Sequence, residues 1–205
     1  TNLVTFSHVG RLHYMPRLIW QMAFTLMTIF LALLLAHLLA DFPLQTNRIF
    51  RLQVAGNAGL VLHVLIHLLM TALLVGRPLH HLDLLGVLGV MHFVVDWTKL
   101  RFPGERQWPG FLLDQLAHLI SLGLLALWQP EVTAVLSLWV MFPLILLVSL
   151  PALLMLLWVW ANDVQQDARY QASPAVHWAS HRLLALSQQT GWVTVLLVFA
   201  CRFLL

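Results

Sequence analysis

The stretch LALLLAHLLADFPLQ, residues 31–45, decides the fold of this chain. An apolar run holds His37 and Asp41 four residues apart, and Pro43 follows two residues after Asp41. Residues four apart lie on the same face of an α-helix, so these two side chains form one polar stripe on an otherwise apolar helix. Such residues are costly inside a membrane and usually mark a functional site. The stretch therefore predicts the end of a membrane helix that carries a functional His/Asp pair.

The composition of the whole chain is that of an integral membrane protein. Of its 205 residues, 60% are hydrophobic and only 9% are charged, whereas a soluble domain has about 25% charged residues. The apolar runs are long and continuous, unlike the alternating segments of about ten residues in an outer-membrane barrel. We therefore expect an all-α fold, a polytopic membrane helical bundle. Arg residues on membrane loops explain the net charge of +3, so no nucleic-acid partner is expected.

Turn residues divide the chain into about six transmembrane helices. A polar N-terminal segment at 1–17 precedes a four-helix membrane core at 18–128, and a C-terminal helical extension occupies 129–205. The last apolar stretch is short for a span, and it either begins earlier, near His181, or stays partly interfacial. The predicted spans are residues 18–42, 59–75, 84–97, 111–128, 132–160 and 192–205.

Each of the first four spans carries one pair of His or Asp residues four positions apart. Because successive spans run in opposite directions, pairs that end the first and third spans and begin the second and fourth fall at the same membrane face. A helical rise of about 1.5 Å per residue puts most of them roughly 5–10 Å inside the boundary. Histidines scattered through a core would have no reason to agree in depth. The four pairs are His37/Asp41, His63/His67, His92/Asp96 and Asp114/His118.

The two hairpins formed by these spans have similar sequences. Residues 36–42 and 91–97 both read apolar-His-x-x-x-Asp-aromatic, and residues 62–68 and 113–119 both read Leu-[His/Asp]-x-Leu-x-His-Leu. An even number of spans per copy preserves the orientation, so a pseudo-two-fold axis along the membrane normal would relate the copies. The first four helices are thus predicted to be two repeated helical hairpins whose polar pairs face each other.

The four pairs supply five imidazoles and three carboxylates, a donor set that suits a divalent metal such as Zn, Fe or Mn. Helical bundles build metal sites in this way, from residues on facing helices. Three ionised carboxylates at this depth need compensating charge. Lys99, the only Lys in the chain, offsets one and leaves two for one divalent cation. All eight residues of the pairs are candidate metal ligands, although some could instead orient the ligating imidazoles.

Residues beside the pairs are candidates for catalysis. Lys99 would stabilise anionic charge that develops during metal-assisted hydrolysis. Gln45 extends the first polar stripe and would orient water or substrate, and Gln115 is an alternative for that role. An unligated Asp or His would move protons.

Arg and Lys are more frequent in the loops after the first, third and fifth spans than on the opposite side. The positive-inside bias therefore places these loops, and the polar pairs beside them, at the cytoplasmic face. Arg11 and Arg17, which precede the first span, argue for the opposite orientation.

Four motifs carry a family resemblance: HLLADFPLQ at 37–45, HVLIH at 63–67, HFVVDWTK at 92–99 and LDQLAH at 113–118. With them the chain resembles a bacterial family of multi-pass membrane proteins labelled as a domain of unknown function, the 3307 family. The resemblance covers about residues 31–125 and implies a multi-pass fold in the bacterial inner (cytoplasmic) membrane, without an established activity. The pattern is also loosely similar to inner-membrane proteins described as metal-dependent hydrolases.

Two classes of function remain open at this point. The first is a metal centre that hydrolyses a lipid or a phosphate-containing substrate. The alternative is a non-catalytic accessory subunit of a larger respiratory or photosynthetic membrane complex, with the lipid bilayer and other membrane subunits as partners. There the pairs would form a structural polar network or ligate haem or chlorophyll, for example through His63 with His118 or His37 with His92. A proton path is less consistent with the sequence, because the outer halves of the four spans are almost wholly apolar.

Overall fold

The computed structural model describes the backbone of residues 14–204 and the side chains of residues 19–204. Residues 1–13 of the predicted polar segment 1–17 lie outside the described residues. The prediction of an all-α fold is confirmed. The α-helices are α1 (Tyr14–Asp41), α2 (Asn47–Ala55), α3 (Asn57–Leu74), α4 (Leu82–Arg101), α5 (Gln107–Trp128), α6 (Leu138–Gln165) and α7 (Pro174–Leu204).

Five of these helices, α1, α3, α5, α6 and α7, are long and apolar enough to cross a membrane. The sixth long helix, α4, has 20 residues and is more charged, because it carries Asp83, Asp96, Lys99 and Arg101. It nevertheless packs between α3 and α5 in the bundle. The described part of the chain thus has six long helices, five of which could cross a membrane, consistent with a prediction of about six spans in a multi-pass membrane protein.

The first four long helices form a bundle in which each helix contacts two others. Helix α1 packs against α3 and α5, and α4 packs against the same two helices from the other side. A buried apolar layer fills one half of this bundle and includes Ile29, Leu33, Leu84, Leu88, Leu122 and Leu125. The polar pairs lie in the other half, towards the C-terminal ends of α1 and α4.

A short amphipathic helix, α2, occupies most of the segment between the first two spans. The side chain of Thr46 caps its N-terminus by accepting a hydrogen bond from the amide of Ile49. Helix α2 then folds back onto α3, where a Cβ atom at Gly59 would clash with the backbone carbonyl of Leu52. This close approach fixes the position of α2 against the first turn of α3.

The C-terminal extension is more regular than the sequence indicated. Helix α6 begins at Leu138 and continues to Gln165, through Pro143 and Pro151. The short apolar stretch at 192–205 is only the second half of α7, which has 31 residues and begins at Pro174. Helices α6 and α7 pack along each other and against α1. Of the two predictions for the last apolar stretch, the one in which its helix begins earlier, near His181, is therefore the better one. The helix begins even before His181, at Pro174.

Candidate metal centre

The four predicted pairs come together at one end of the bundle. The C-terminal part of α1 holds His37 and Asp41, and the matching part of α4 holds His92 and Asp96. The remaining two pairs lie between the N-terminal part and the middle of α3 and α5, which run in the opposite direction. All eight side chains are buried, with 1–8% of each residue exposed. They are His37, Asp41, His63, His67, His92, Asp96, Asp114 and His118, and we call them the His/Asp cluster.

A first compartment of this cluster is formed by Asp41, His63, His67 and His92. Asp41 Oδ1 lies 2.8 Å from His67 Nε2 and 3.2 Å from His63 Nε2. The two imidazole Nε2 atoms are themselves 3.2 Å apart. Tetrahedral ligands at about 2.0–2.1 Å from a metal stand about 3.3 Å from one another. The donor atoms of the first compartment therefore have the spacing and the chemistry to hold a metal ion.

A second compartment is formed by Asp96, Asp114 and His118. His118 Nε2 lies 3.2 Å from Asp96 Oδ1 and 3.5 Å from Asp114 Oδ1. It has two carboxylates and one imidazole, whereas the first compartment has one carboxylate and three imidazoles. The second compartment is therefore the more acidic of the two.

His37 and His92 lie between the two compartments. His37, His92 and His118 form a further group whose ring nitrogens lie within 4.8 Å of one another. The ring of His92 contacts that of His67 at a centroid distance of 3.6 Å and stacks on that of His118 at 4.2 Å. Both compartments thus belong to one continuous cluster, with His92 at its centre.

The contacts repeat between the two hairpins as the sequence repeat predicts. His37 Nε2 lies 3.4 Å from Asp41 Oδ2, and His92 Nε2 lies 3.4 Å from Asp96 Oδ2. In each hairpin the second helix also directs a His Nε2 at the Asp of the first helix, from His67 in one hairpin and from His118 in the other. The agreement of donor atoms, as well as residue types, supports two copies of one hairpin.

The residues predicted to assist catalysis, Lys99, Gln115 and Gln45, occupy different positions relative to the cluster. Lys99 Nζ lies 2.6 Å from Asp114 Oδ2, at the edge of the cluster. Gln115 donates to Asp41 Oδ2 at 3.0 Å and its Oε1 lies 3.4 Å from His37 Nε2. Gln115 lies in the second hairpin and contacts Asp41 and His37 of the first, so its amide links the two hairpins at the cluster.

Gln45, in contrast, hydrogen-bonds the side chain of Gln53 in α2 at 2.8 Å. Gln53 is buried, and the sequence reasoning did not single it out. The amphipathic pattern of residues 47–55 could have identified it, because this pattern places Gln53 on the buried face of α2. The two Gln residues tie α2 to the end of α1.

Several buried polar atoms of the cluster have no hydrogen-bond partner among the described residues. His92 Nε2 and Asp114 Oδ1 are two of these atoms, and the Nδ1 atoms of His37 and His63 are two others. Buried polar groups are normally paired, and leaving one unpaired costs about 1–3 kcal/mol. The cluster therefore does not satisfy itself as a closed hydrogen-bond network, and its donor set could hold a metal ion.

Comparisons with known proteins place the chain in a family. Neither a curated protein nor a solved structure matches it. One family model matches residues 29–148, which span α1 from Ile29, the whole of α2 to α5 and the first part of α6. The match includes every residue of the His/Asp cluster, and the chain belongs to the family described as protein of unknown function (DUF3307).

Proposed function

We propose that this chain is a membrane metalloprotein whose His/Asp cluster binds a divalent metal ion near the cytoplasmic face of a bacterial inner membrane. The observation that carries the proposal is the convergence of His63 Nε2, His67 Nε2 and Asp41 Oδ1 within 2.8–3.2 Å of one another. Imidazole and carboxylate together favour Zn, Fe or Mn over Ca. The first compartment would hold the ion, and the eight cluster residues are its candidate ligands and orienting groups.

The charges of the cluster support one divalent ion. Its three carboxylates are buried, and Lys99 contacts only Asp114 among them. An unpaired buried carboxylate is costly, so the two remaining negative charges require a cation. A divalent ion in the first compartment would supply the two positive charges that compensate them.

The candidate activity is metal-dependent hydrolysis of a lipid or a phosphate-containing substrate. A bound ion would act as a Lewis acid and activate water. Lys99 is placed to contact an anionic group, because its ammonium has three donors and its side chain is 37% exposed. Gln115 would hold Asp41 in position. Gln45 would act further out, at the contact between α1 and α2.

Hydrolysis at this centre requires a path by which the substrate reaches the ligand residues. All eight cluster residues are buried, so a substrate can reach them only if the bundle opens. The opening would be at the α4–α5 edge, where Lys99 reaches the solvent. The burial therefore also favours the second candidate function, a non-catalytic accessory subunit in which the metal or the polar cluster is structural.

Haem or chlorophyll fits the cluster less well than a single ion. The ring of His92 is in contact with the rings of both His67 and His118. A macrocycle ligated by His92 would have to displace these two rings. A coloured cofactor would therefore require the four helices to separate.

Elemental analysis of the full chain, purified in detergent without chelator, tests the proposal. We expect stoichiometric metal in the wild type and its loss in H67A. The matched control is H80A, which changes an exposed His in the short turn before α4 and should keep the metal. Wild-type protein without metal would contradict the proposal, and visible absorbance would identify haem or chlorophyll.

A hydrolysis assay then separates the two candidate functions. Bis(p-nitrophenyl) phosphate and a short-chain phosphatidic acid in mixed micelles are suitable probes. Release of product that disappears in H67A but not in H80A would support the enzyme. Metal-loaded protein that hydrolyses neither probe would favour the accessory subunit.

A further inference from the structure

The two hairpins differ at the positions that surround the cluster. Lys99 and Gln115 belong to the second hairpin, and the corresponding positions of the first hairpin are Leu44 and Val64. The duplication that placed ligands in both hairpins thus left a cation in only one of them. This difference suggests that the two compartments do not bind metal equally.

Lys99 lies where it can compensate the second compartment. Its Nζ is 2.6 Å from Asp114 Oδ2, a short charge-assisted contact, and 5.7 Å from the centre of the Phe111 ring. Asp114 itself is 5% exposed. The ammonium is therefore the charged partner of Asp114 Oδ2, which also accepts a longer hydrogen bond from Gln115 Nε2 at 3.3 Å.

The second compartment nevertheless keeps features of a metal site. Asp114 Oδ1 is buried without a hydrogen-bond partner among residues 19–204, and so is Nε2 of His92, whose ring stacks on that of His118. Asp96, Asp114 and His118 offer ligand atoms within 4.8 Å of one another. These three residues thus supply enough ligand atoms for a metal ion. The binding of a second ion is opposed by the positive charge that it would add to the cluster.

We infer that Lys99 takes the place of a second metal ion, so that the cluster holds one divalent ion in the first compartment and the Lys99 ammonium beside the second. With Lys99 charged, one divalent ion neutralises the three carboxylates, and a second ion would leave two positive charges in excess in a buried site, against one when the ammonium is removed. Removing the ammonium converts the cluster into a two-metal site. This inference rests on the proposed metal centre and specifies its stoichiometry.

Zn²⁺ titration of the metal-stripped full chain, followed by equilibrium dialysis and elemental analysis, tests the inference. The wild type should bind one equivalent. K99M should bind two, with the affinity for the second equivalent raised by roughly 10-fold or more, as expected when a charge-assisted competitor is removed. K99R, which keeps the charge, is the matched control and should bind one. K99M combined with D114N should return to one, because the second compartment then lacks a carboxylate.

The outcomes separate this inference from the proposed metal centre. One equivalent in both the wild type and K99M would overturn the role of Lys99 and leave the metal centre standing. Two equivalents of similar affinity in the wild type would also overturn it. No metal in any variant would overturn both. If K99M does not fold, K99Q tests the same loss of charge with a polar side chain, and two equivalents there support the inference.

Discussion

His67 and Asp41 face each other between α3 and α1, with His67 Nε2 2.8 Å from Asp41 Oδ1. His118 and Asp96 make the equivalent contact between α5 and α4 at 3.2 Å. Each half of the cluster therefore takes its ligands from both helices of a hairpin. A metal ion bound there would fix the pairing of the helices as well as its own ligands, so binding and folding should be coupled.

The first prediction concerns the two carboxylates of these contacts. D41N should lose metal affinity by roughly 10- to 100-fold, because both His63 and His67 converge on Asp41 Oδ1. D96N should keep one equivalent, since Asp96 belongs to the second compartment. Metal content after dialysis measures both.

The control for this prediction is D83N. Asp83 is also in α4, but it accepts a hydrogen bond from Gln129 at the opposite end of the bundle. It should retain wild-type metal content. If D96N loses all metal while D41N keeps it, the assignment of the ion to the first compartment is wrong.

The second prediction separates the two Gln residues that were candidates for orienting groups. Q115L should weaken Zn²⁺ binding by about 10-fold, because Gln115 donates to Asp41 Oδ2 and orients it. Q45L should leave Zn²⁺ affinity unchanged, because Gln45 bonds Gln53. Isothermal calorimetry measures the two affinities. Equal losses in both variants would show that the contact between Gln45 and Gln53 also supports the cluster.

Much of this centre could be predicted from the sequence because helical spacing is a local property. The four-residue interval fixes which side chains share a helix face, and the alternation of spans fixes which ends of the helices meet. His37 with Asp41 and His92 with Asp96 follow directly from these two facts. The repeat then indicates that the two hairpins make the same contacts, as they do.

Other features of the site and fold depend on how the helices pack against one another. A local sequence pattern carries no information about that packing. The convergence of Gln115 on Asp41 joins residues 74 positions apart and depends on the rotation of α5 about its axis. The length of α7 was also underestimated, because its first half is polar. That half forms a helix through packing on α6, where Trp158 Nε1 donates to the Ser180 carbonyl and stabilises the contact.

The third prediction tests the docking of the C-terminal hairpin. A Cβ atom at Gly191 of α7 would lie 2.8 Å from Pro43 Cβ and 3.0 Å from Pro43 Cα, and a proline ring has little freedom to move. G191A should therefore destabilise the protein by about 1–3 kcal/mol. G123A, where no atom lies within 4 Å of the new Cβ, is the matched control and should not be destabilised. Thermal unfolding in detergent compares the two, and equal melting temperatures would contradict the tight contact.

The last prediction concerns the start of α5, which sets the position of Asp114. Asp163 of α6 accepts a hydrogen bond from the backbone amide of Trp108 at 2.7 Å, and so pairs one of the free amides at this helix end. D163A should cost about 1–2 kcal/mol of stability, the usual loss for a helix cap. Because the first turn of α5 precedes Asp114 by fewer than two turns, the variant should also weaken the contact of Asp114 with Lys99.

The control for D163A is D167N, in the exposed loop after α6. Hydrogen bonds from Arg169 lower the pKa of Asp167 to about 2, so this ion pair persists above that pH and is lost as the pH falls through it. An exposed pair of this kind contributes little to stability. D167N should therefore melt like the wild type at neutral pH, while D163A melts earlier. If the two variants melt alike, α5 does not depend on α6 for its N-terminal position, and the C-terminal hairpin does not help to place Asp114.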